Sequence, residues 1–527
     1  MASATPSPKI CWAIFFVIAL AALAVRLPQL GARPMHTDEA VNAYLTGELL
    51  AGQPFHYDPR DRHGPALFIL AAPLAKCLGA NKFSDLAEVQ LRLVPVLAGS
   101  ATILLLGTCV EMFGFIACLV AALLFAFAPL PVYYSRYFIH ETLFLAATLG
   151  LISSGWHAWQ KKSVAAAAAA GLCAALMLAC KETCVIHFFA LACAGVAWWA
   201  VNRTGAPSTS PSRTVVDQTP TPSENTPDHQ RAEPVLGAPD LRTILIALTV
   251  CLATVVLLCT WFGRNWKGLG DLFQAIPTFA ARAGGQGHEK PFAYYFHLLD
   301  PMVVLSIVAV AGVYAAICEA VSQPRRPAWL LIIYGALVFV IYSAIPYKTP
   351  WLALNLWLSL ALACGFGVAA FWEQIKKPAG HWAIVAAGIF LLATLAAQTK
   401  VLVFDEPAGE KNPFAYAHTG EDLLRLAPRL EQLAREDNLP QPRIAVVAAD
   451  PWPLPWYLRK FSQVGFWQPS QNPGAADFFI TSPEAAAKLG DLLKNFRPEY
   501  FGVRPEVLVI MWVPLPDQKL SEETMKP

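Results

Sequence analysis

The chain has 527 residues, of which 56% are hydrophobic and only 14% charged. Soluble domains carry about 25% charged residues, so a long chain this poor in charge points to the bilayer rather than to water. The net charge of +2 excludes nucleic-acid binding by bulk charge. The 12 cysteines form no CxxC or Cys/His zinc pattern; almost all lie inside apolar runs, where Cys acts as a small hydrophobe rather than as part of a disulfide framework.

In chain order, the first apolar run is Ile10 to Leu27. Its Ala-Leu-Ala before Val25 resembles a signal-peptidase site, but the many runs that follow favour an uncleaved anchor. A spanning helix needs about 20 apolar residues. Runs near 10–27, 91–110, 114–132, 138–158, 164–180, 183–201, 242–262, 298–320, 328–346, 351–372 and 381–399 give about eleven spans. The Pro65 to Leu78 stretch is apolar but would rise only about 20 Å as a helix. With Lys76 inside it, it is expected to lie in the interface or re-enter.

Orientation follows from basic residues, which favour the cytoplasmic side. With the N-terminus inside and 28–90 taken as one outer loop, Lys161-Lys162, Arg325-Arg326 and Lys376-Lys377 all fall inside. So does the 203–240 linker, whose Pro, Ser and Thr content without apolar period predicts disorder. If Pro65 to Leu78 spanned the membrane, the later pairs would all move outside. The expected fold is therefore a mainly α, polytopic membrane bundle over residues 1–400, in the plasma (inner) membrane. From Val401 onward apolar runs shorten, and residues 401–527 are expected to form a small extracytoplasmic α/β domain. Its elements are a helix over Glu421 to Asp437, strands over 443–449, 477–481 and 507–513, and a short helix at 483–489.

The orientation collects the unusual polar groups on the outer side. Asp38-Glu39 follows the first span in a loop beside the membrane. A carboxylate there can serve as general base, bind a cation, or open a helix over Glu39 to Leu50 with Thr37 or Asp38 as cap. Arg62 and His63 precede the interfacial helix and suit either a phosphate or lipid headgroups. Arg136, His140 and Glu141 sit at the mouth of a span, Arg136 and His140 on one helical face by their spacing. They read equally as a site or as an internal ion pair. Lys181-Glu182 and Tyr347-Lys348 are polar tips between spans. The Trp452 to Tyr457 string suits a sugar, the membrane or a domain core. Together these groups fit an anionic, membrane-borne substrate, or a transporter vestibule. The chain shows no inverted repeat of the kind transporters carry.

Four strings carry a resemblance: His36-Thr37-Asp38-Glu39-Ala40, Ser135-Arg136-Tyr137-Phe138-Ile139-His140-Glu141, Tyr347-Lys348-Thr349-Pro350-Trp351 and Trp452 to Arg459. They resemble the GT-C glycosyltransferases, in particular the protein mannosyltransferase and aminoarabinose transferase branch. More specifically they look like the flippase-activity-associated membrane family of archaeal-type N-glycosylation. The likeness covers nearly the whole chain outside the linker. It implies transfer of a sugar from a polyprenyl-phosphate donor to a protein, lipid or glycan acceptor on the outer face, with inversion and a carboxylate base. Asp38 would be that base, with Glu39 beside it. Arg62, His63, Arg136, Lys181 and Lys348 would bind the donor phosphate, supported by His140, Glu141, Glu182 and Tyr347. No cofactor is required; Asp38 and Glu39 are the residues that could hold a divalent cation. The alternative is a non-catalytic partner or translocation factor for lipid-linked glycans.

Overall fold

The computed structural model describes residues 6–58, 60, 62–204, 240–285, 287–299, 303–322 and 327–515. Asp61, Arg325, Arg326 and nearly all of the 203–240 linker lie outside the described residues.

Helices occupy the expected spans: α1 (Pro8–Arg26), α4 (Glu88–Thr108), α5 (Phe115–Phe127), α6 (Glu141–Lys161), α7 (Val164–Cys180), α8 (Cys184–Thr204), α9 (Leu241–Cys259), α11 (Val303–Ser322), α12 (Ala328–Ala344), α13 (Ala353–Gln374) and α14 (Pro378–Thr399). Among the described residues, Pro8–Arg26, Glu88–Thr108, Leu241–Cys259, Pro350–Gln374 and Pro378–Asp405 are long and apolar enough to cross a membrane unaided. Their surfaces are inverted relative to a soluble protein. Phe390 is 76% exposed, Trp382 72% and Leu252 65%. In water such a surface would be heavily penalised, whereas lipid accepts it. The chain is an integral, polytopic membrane protein.

The expected span at 114–132 is broken. Pro129 forces Ala128 into an extended conformation (φ −72°, ψ 144°), and the helix restarts as Pro129–Tyr134. Close packing elsewhere relies on small residues. A Cβ on Gly171 of α7 would stand 2.2 Å from the Ala247 carbonyl oxygen of α9, so only glycine lets these helices approach.

Between α1 and α4 lie α2 (Thr37–Leu50) and α3 (Ala66–Cys77), the latter being the short helix expected at the interface. The helix α10 (Lys267–Arg282) was not anticipated. It buries Gly268, Asp271 and Ala275 and exposes Phe273 and Ile276, the pattern of a helix lying on a membrane surface.

The C-terminal part contains α15 (Leu426–Glu436), α16 (Pro483–Leu489) and five strands: β1 (Arg443–Val447), β2 (Gln463–Trp467), β3 (Phe478–Thr481), β4 (Phe496–Arg504) and β5 (Val507–Pro514). They form one mixed sheet in the order β2-β1-β3-β5-β4. The β1 strand is parallel to β2 and β3, and β5 is antiparallel to β3 and β4. The sheet shares a core with the first loop: Leu45, Leu49, Leu67 and Phe68 pack in one cluster with Leu426, Leu430, Ile444, Trp456 and Ile480. Polar contacts pin the two together. The Met35 N–H donates to the Tyr457 hydroxyl (2.9 Å), and Trp456 Nε1–H donates to Glu88 (3.0 Å). Trp456 is thus domain core, whereas Trp452 lines the cavity described next.

Candidate functional site

The loops of one end of the bundle enclose a cavity of about 450 Å³. Its walls come from 37–63, 139–141, 181–186, 275–283, 342–352 and 450–452. The opposite end of the bundle carries Lys161, whose Nζ donates to Glu111 (3.0 Å).

Asp38 reaches the cavity because His36 before it and Glu39 after it are both anchored. His36 is the helix cap, one residue earlier than expected: its Nδ1 accepts from the Asp38 N–H (3.0 Å), and the Glu39 carboxylate accepts from the His36 N–H (3.3 Å). Glu39 then turns away from the cavity into a dry socket. Arg92 Nε and Nη2 donate to it at 2.8 and 2.7 Å, Arg33 approaches at 3.4 Å, and the Phe138 N–H donates at 2.9 Å. Burial would raise its pKa, but the Arg92 and Arg33 guanidiniums and the backbone donor outweigh that and hold it at about 2. Asp38, by contrast, is half-buried, lines the cavity, and its carboxylate has no hydrogen-bond partner among the described residues.

The structure brings Arg62, His63, His140, Glu141, Lys181, Glu182 and Tyr347 to the same cavity. Glu182 accepts from the Tyr57 hydroxyl (2.7 Å) and pairs with His63 Nδ1 (2.9 Å). Burial would raise its pKa, but His63 and the Tyr57 hydroxyl outweigh that and hold it at about 2. Lys181 and Glu141 form a buried ion pair. His140 contacts the Gly64 carbonyl (3.1 Å); burial, with His63 and Lys181 nearby, pushes it well below the ordinary imidazole range.

Three expected site residues are elsewhere. Glu39 is enclosed by guanidiniums and cannot join Asp38 in holding a cation. Arg136 does not share a helical face with His140, because residues 135–140 are turn and bend and α6 begins only at Glu141. It donates instead to the carbonyls of Arg26 and Pro28 (2.6 Å each) and Gln29 (3.1 Å), and covers the Phe404 ring. It is a strut for the 27–36 loop, neither a cavity cation nor a partner of Glu141. Lys348 is also turned inward, its Nζ donating to the carbonyls of Lys290 (3.1 Å) and Ile345 (2.5 Å). Its neighbours Tyr347, Thr349 and Trp351 line the cavity in its place.

Sequence reasoning also missed Arg92 and Arg33, which hold Glu39, and Tyr342, Thr183 and Asp450, which line the wall together with Arg282 of the polar 264–297 stretch. The signal for Arg92 was present: an arginine inside an apolar span must be paired. Among the described residues no group of three or more His, Cys, Asp or Glu could hold a metal ion.

A family model described as dolichyl-phosphate-mannose-protein mannosyltransferase matches residues 71–207. No curated protein matches the chain in sequence. Among solved structures, ArnT from Cupriavidus metallidurans bound to undecaprenyl phosphate superposes with a TM-score of 0.60 at 16% identity, covering 94% of this chain and 97% of that one. The oligosaccharyltransferase AglB from Archaeoglobus fulgidus, in complex with an inhibitory peptide and a dolichol-phosphate, superposes with a TM-score of 0.52 at 13% identity. That match covers 96% of this chain and 76% of AglB. Over nearly its whole length, the chain has the GT-C fold of these membrane proteins.

Proposed function

We propose that this chain is a membrane glycosyltransferase that moves a sugar from a polyprenyl-phosphate donor to an acceptor hydroxyl or amide on the extracytoplasmic face. The bundle of residues 1–400 holds the donor, and residues 401–527 form an extracytoplasmic domain that helps close the cavity. The observation that carries this reading is the half-buried Asp38 carboxylate, unpaired among the described residues, in one cavity with Arg62, His63, Lys181 and Arg282. The polyprenyl phosphates held by ArnT and AglB support a lipid-linked donor, and the acceptor peptide tethered to the Archaeoglobus fulgidus oligosaccharyltransferase in another structure supports a protein as one acceptor class.

In the proposed reaction an acceptor oxygen or nitrogen attacks the anomeric carbon. The bond from that carbon to the phosphate oxygen breaks, and its electron pair leaves with the polyprenyl phosphate. Asp38 takes the acceptor proton. Arg62, His63 and Lys181 stabilise charge growing on the phosphate. Direct displacement inverts the anomeric centre. The apolar wall of Val41, Leu45, Ile186 and Phe279 suits the prenyl chain beside the phosphate.

The test is transfer from a panel of polyprenyl-phosphate sugars by purified protein in lipid vesicles, with a crude envelope fraction as acceptor source. Asp38→Asn should lower turnover by about 10²–10⁴-fold with unchanged folded yield, because no described contact depends on its carboxylate. Glu39→Gln should instead lose folded protein, since it leaves buried guanidiniums uncompensated. Equal transfer by wild type and Asp38→Asn would remove Asp38 as base. No transfer from any donor would favour the translocation-factor reading.

A further inference from the structure

Inside the bundle, beside the cavity but outside its wall, lies a buried imidazole that the proposed chemistry does not use. His187, in the first turn of α8, sits between two tyrosines of α12: its Nδ1 is 2.8 Å from the Tyr334 hydroxyl and its Nε2 is 3.1 Å from the Tyr342 hydroxyl. All three side chains are at most 2% exposed, and Phe144 stands edge-on to the ring at 4.8 Å. A neutral imidazole offers one N–H and one lone pair, so the two tyrosines must play opposite roles.

Their surroundings decide which is which. Among the described residues, His187 is the one hydrogen-bond partner of the Tyr334 hydroxyl, which does not reach the cavity. Its O–H must therefore be given to Nδ1, or a buried donor is left unpaired. Nε2 then carries the hydrogen and donates it to the Tyr342 oxygen. The Tyr342 O–H is then left for the neighbouring Thr183 hydroxyl, and both residues line the cavity. Two further wall residues point the same way. Thr183 and Thr349 are 2% and 1% exposed; among the described residues the Thr183 hydroxyl meets Tyr342 alone, and the Thr349 hydroxyl has no hydrogen-bond partner. Buried polar groups are rarely left so; water fills such places when the cavity is empty, and a ligand with matching groups replaces it.

We propose that Tyr342, Thr183 and Thr349 form the subsite for the sugar of the lipid-linked donor, with Tyr334 and His187 fixing Tyr342 as a donor. This rests on the glycosyltransferase reading. Uncharged hydroxyls that can both donate and accept match a polyhydroxylated ring, whereas the phosphate is matched by the cations of the same cavity. The sugar esterified to that phosphate is the polyhydroxyl group held within reach. His187 and Tyr334 are positioning residues.

The experiment titrates undecaprenyl phosphate, undecaprenyl-phosphate mannose and undecaprenyl-phosphate glucose into the full chain in detergent. Binding is read by tryptophan fluorescence, since Trp351 and Trp452 line the cavity. The wild type should bind at least one glycosylated lipid more tightly than the bare phosphate. Tyr342→Phe should weaken that lipid by about two- to tenfold, the span of one neutral hydrogen bond, and leave the bare lipid unchanged. Tyr334→Phe, remote from the cavity, should act in the same direction but less. Should Tyr342→Phe fold poorly, Thr183→Val supplies the same comparison. Equal weakening of both lipids, no weakening of either, or equal wild-type affinity for bare and glycosylated lipids overturns the subsite. Equal wild-type affinities would move saccharide recognition to the acceptor. Binding of none of the three lipids overturns the glycosyltransferase reading itself.

Discussion

At the scale of single residues, adjacent acids have opposite fates. Asp38 and Glu39 are chemically near-equivalent in sequence, yet one faces a cavity and the other is saturated by Arg92, Arg33 and the Phe138 N–H. A similar division separates the cations: Lys181 stays at the cavity, while Arg136 and Lys348 spend their donors on backbone carbonyls. Burial also sets a pH dependence. It pushes His36, His140 and His418 below 6.5, with nearby cations adding to the shift at His140 and His418. The folded state then binds fewer protons than the unfolded chain once pH drops below 6.5. Stability should therefore fall with decreasing pH from that point, by up to about 1.4 kcal/mol per pH unit for each histidine. Thermal unfolding in detergent between pH 8 and 5 checks this; a midpoint that stays flat below 6.5 would contradict it.

At the scale of elements, the site is set by close approaches rather than by long helices. Gly64 follows His63, and a Cβ there would stand 2.2 Å from the Ala179 carbonyl oxygen. Its N–H donates to the Cys180 carbonyl (3.2 Å), and its own carbonyl meets His140. Gly64→Ala should push the 62–65 segment off the end of α7, breaking the His63–Glu182 contact. Activity should fall at least about tenfold while the helical circular-dichroism signal is kept, the loss expected from a misplacement of about 1 Å at a site. Unchanged turnover would show that this approach is dispensable. Elements also explain what was legible in the C-terminal part. The central strands β1, β3 and β5 were anticipated because they are buried and apolar. The two missed strands, β2 and β4, are the sheet edges. Half-exposed residues hide the alternation of β2, and Pro498 and Glu499 interrupt β4, as edge strands tolerate. The amphipathic α10 was missed because its apolar stripe is too short and interrupted to register as a span.

At the scale of the molecule, the loops that alternate along the chain gather at two ends, and one end holds the cavity and the sheet. In the proposed orientation that end is extracytoplasmic. A cysteine replacing exposed Glu436 should react with an impermeant thiol reagent in intact cells, while one replacing exposed Lys162 should react only after lysis, in a background lacking Cys77 and Cys318. The reverse pattern would invert the topology and with it the need for a lipid-borne donor.

The sequence by itself determined the membrane character, the positions of the spans and the membership of one polar end. These depend on composition and on local period, which need no partner to be read. It also carried the motifs whose resemblance matched the fold. Only the tertiary structure decided which polar groups face the cavity. That choice is made by contacts such as Arg92 with Glu39 and His187 with Tyr342, between residues 53 and 155 positions apart. A buried charge or hydroxyl goes wherever its partner waits, and partners at that separation leave no trace in local pattern.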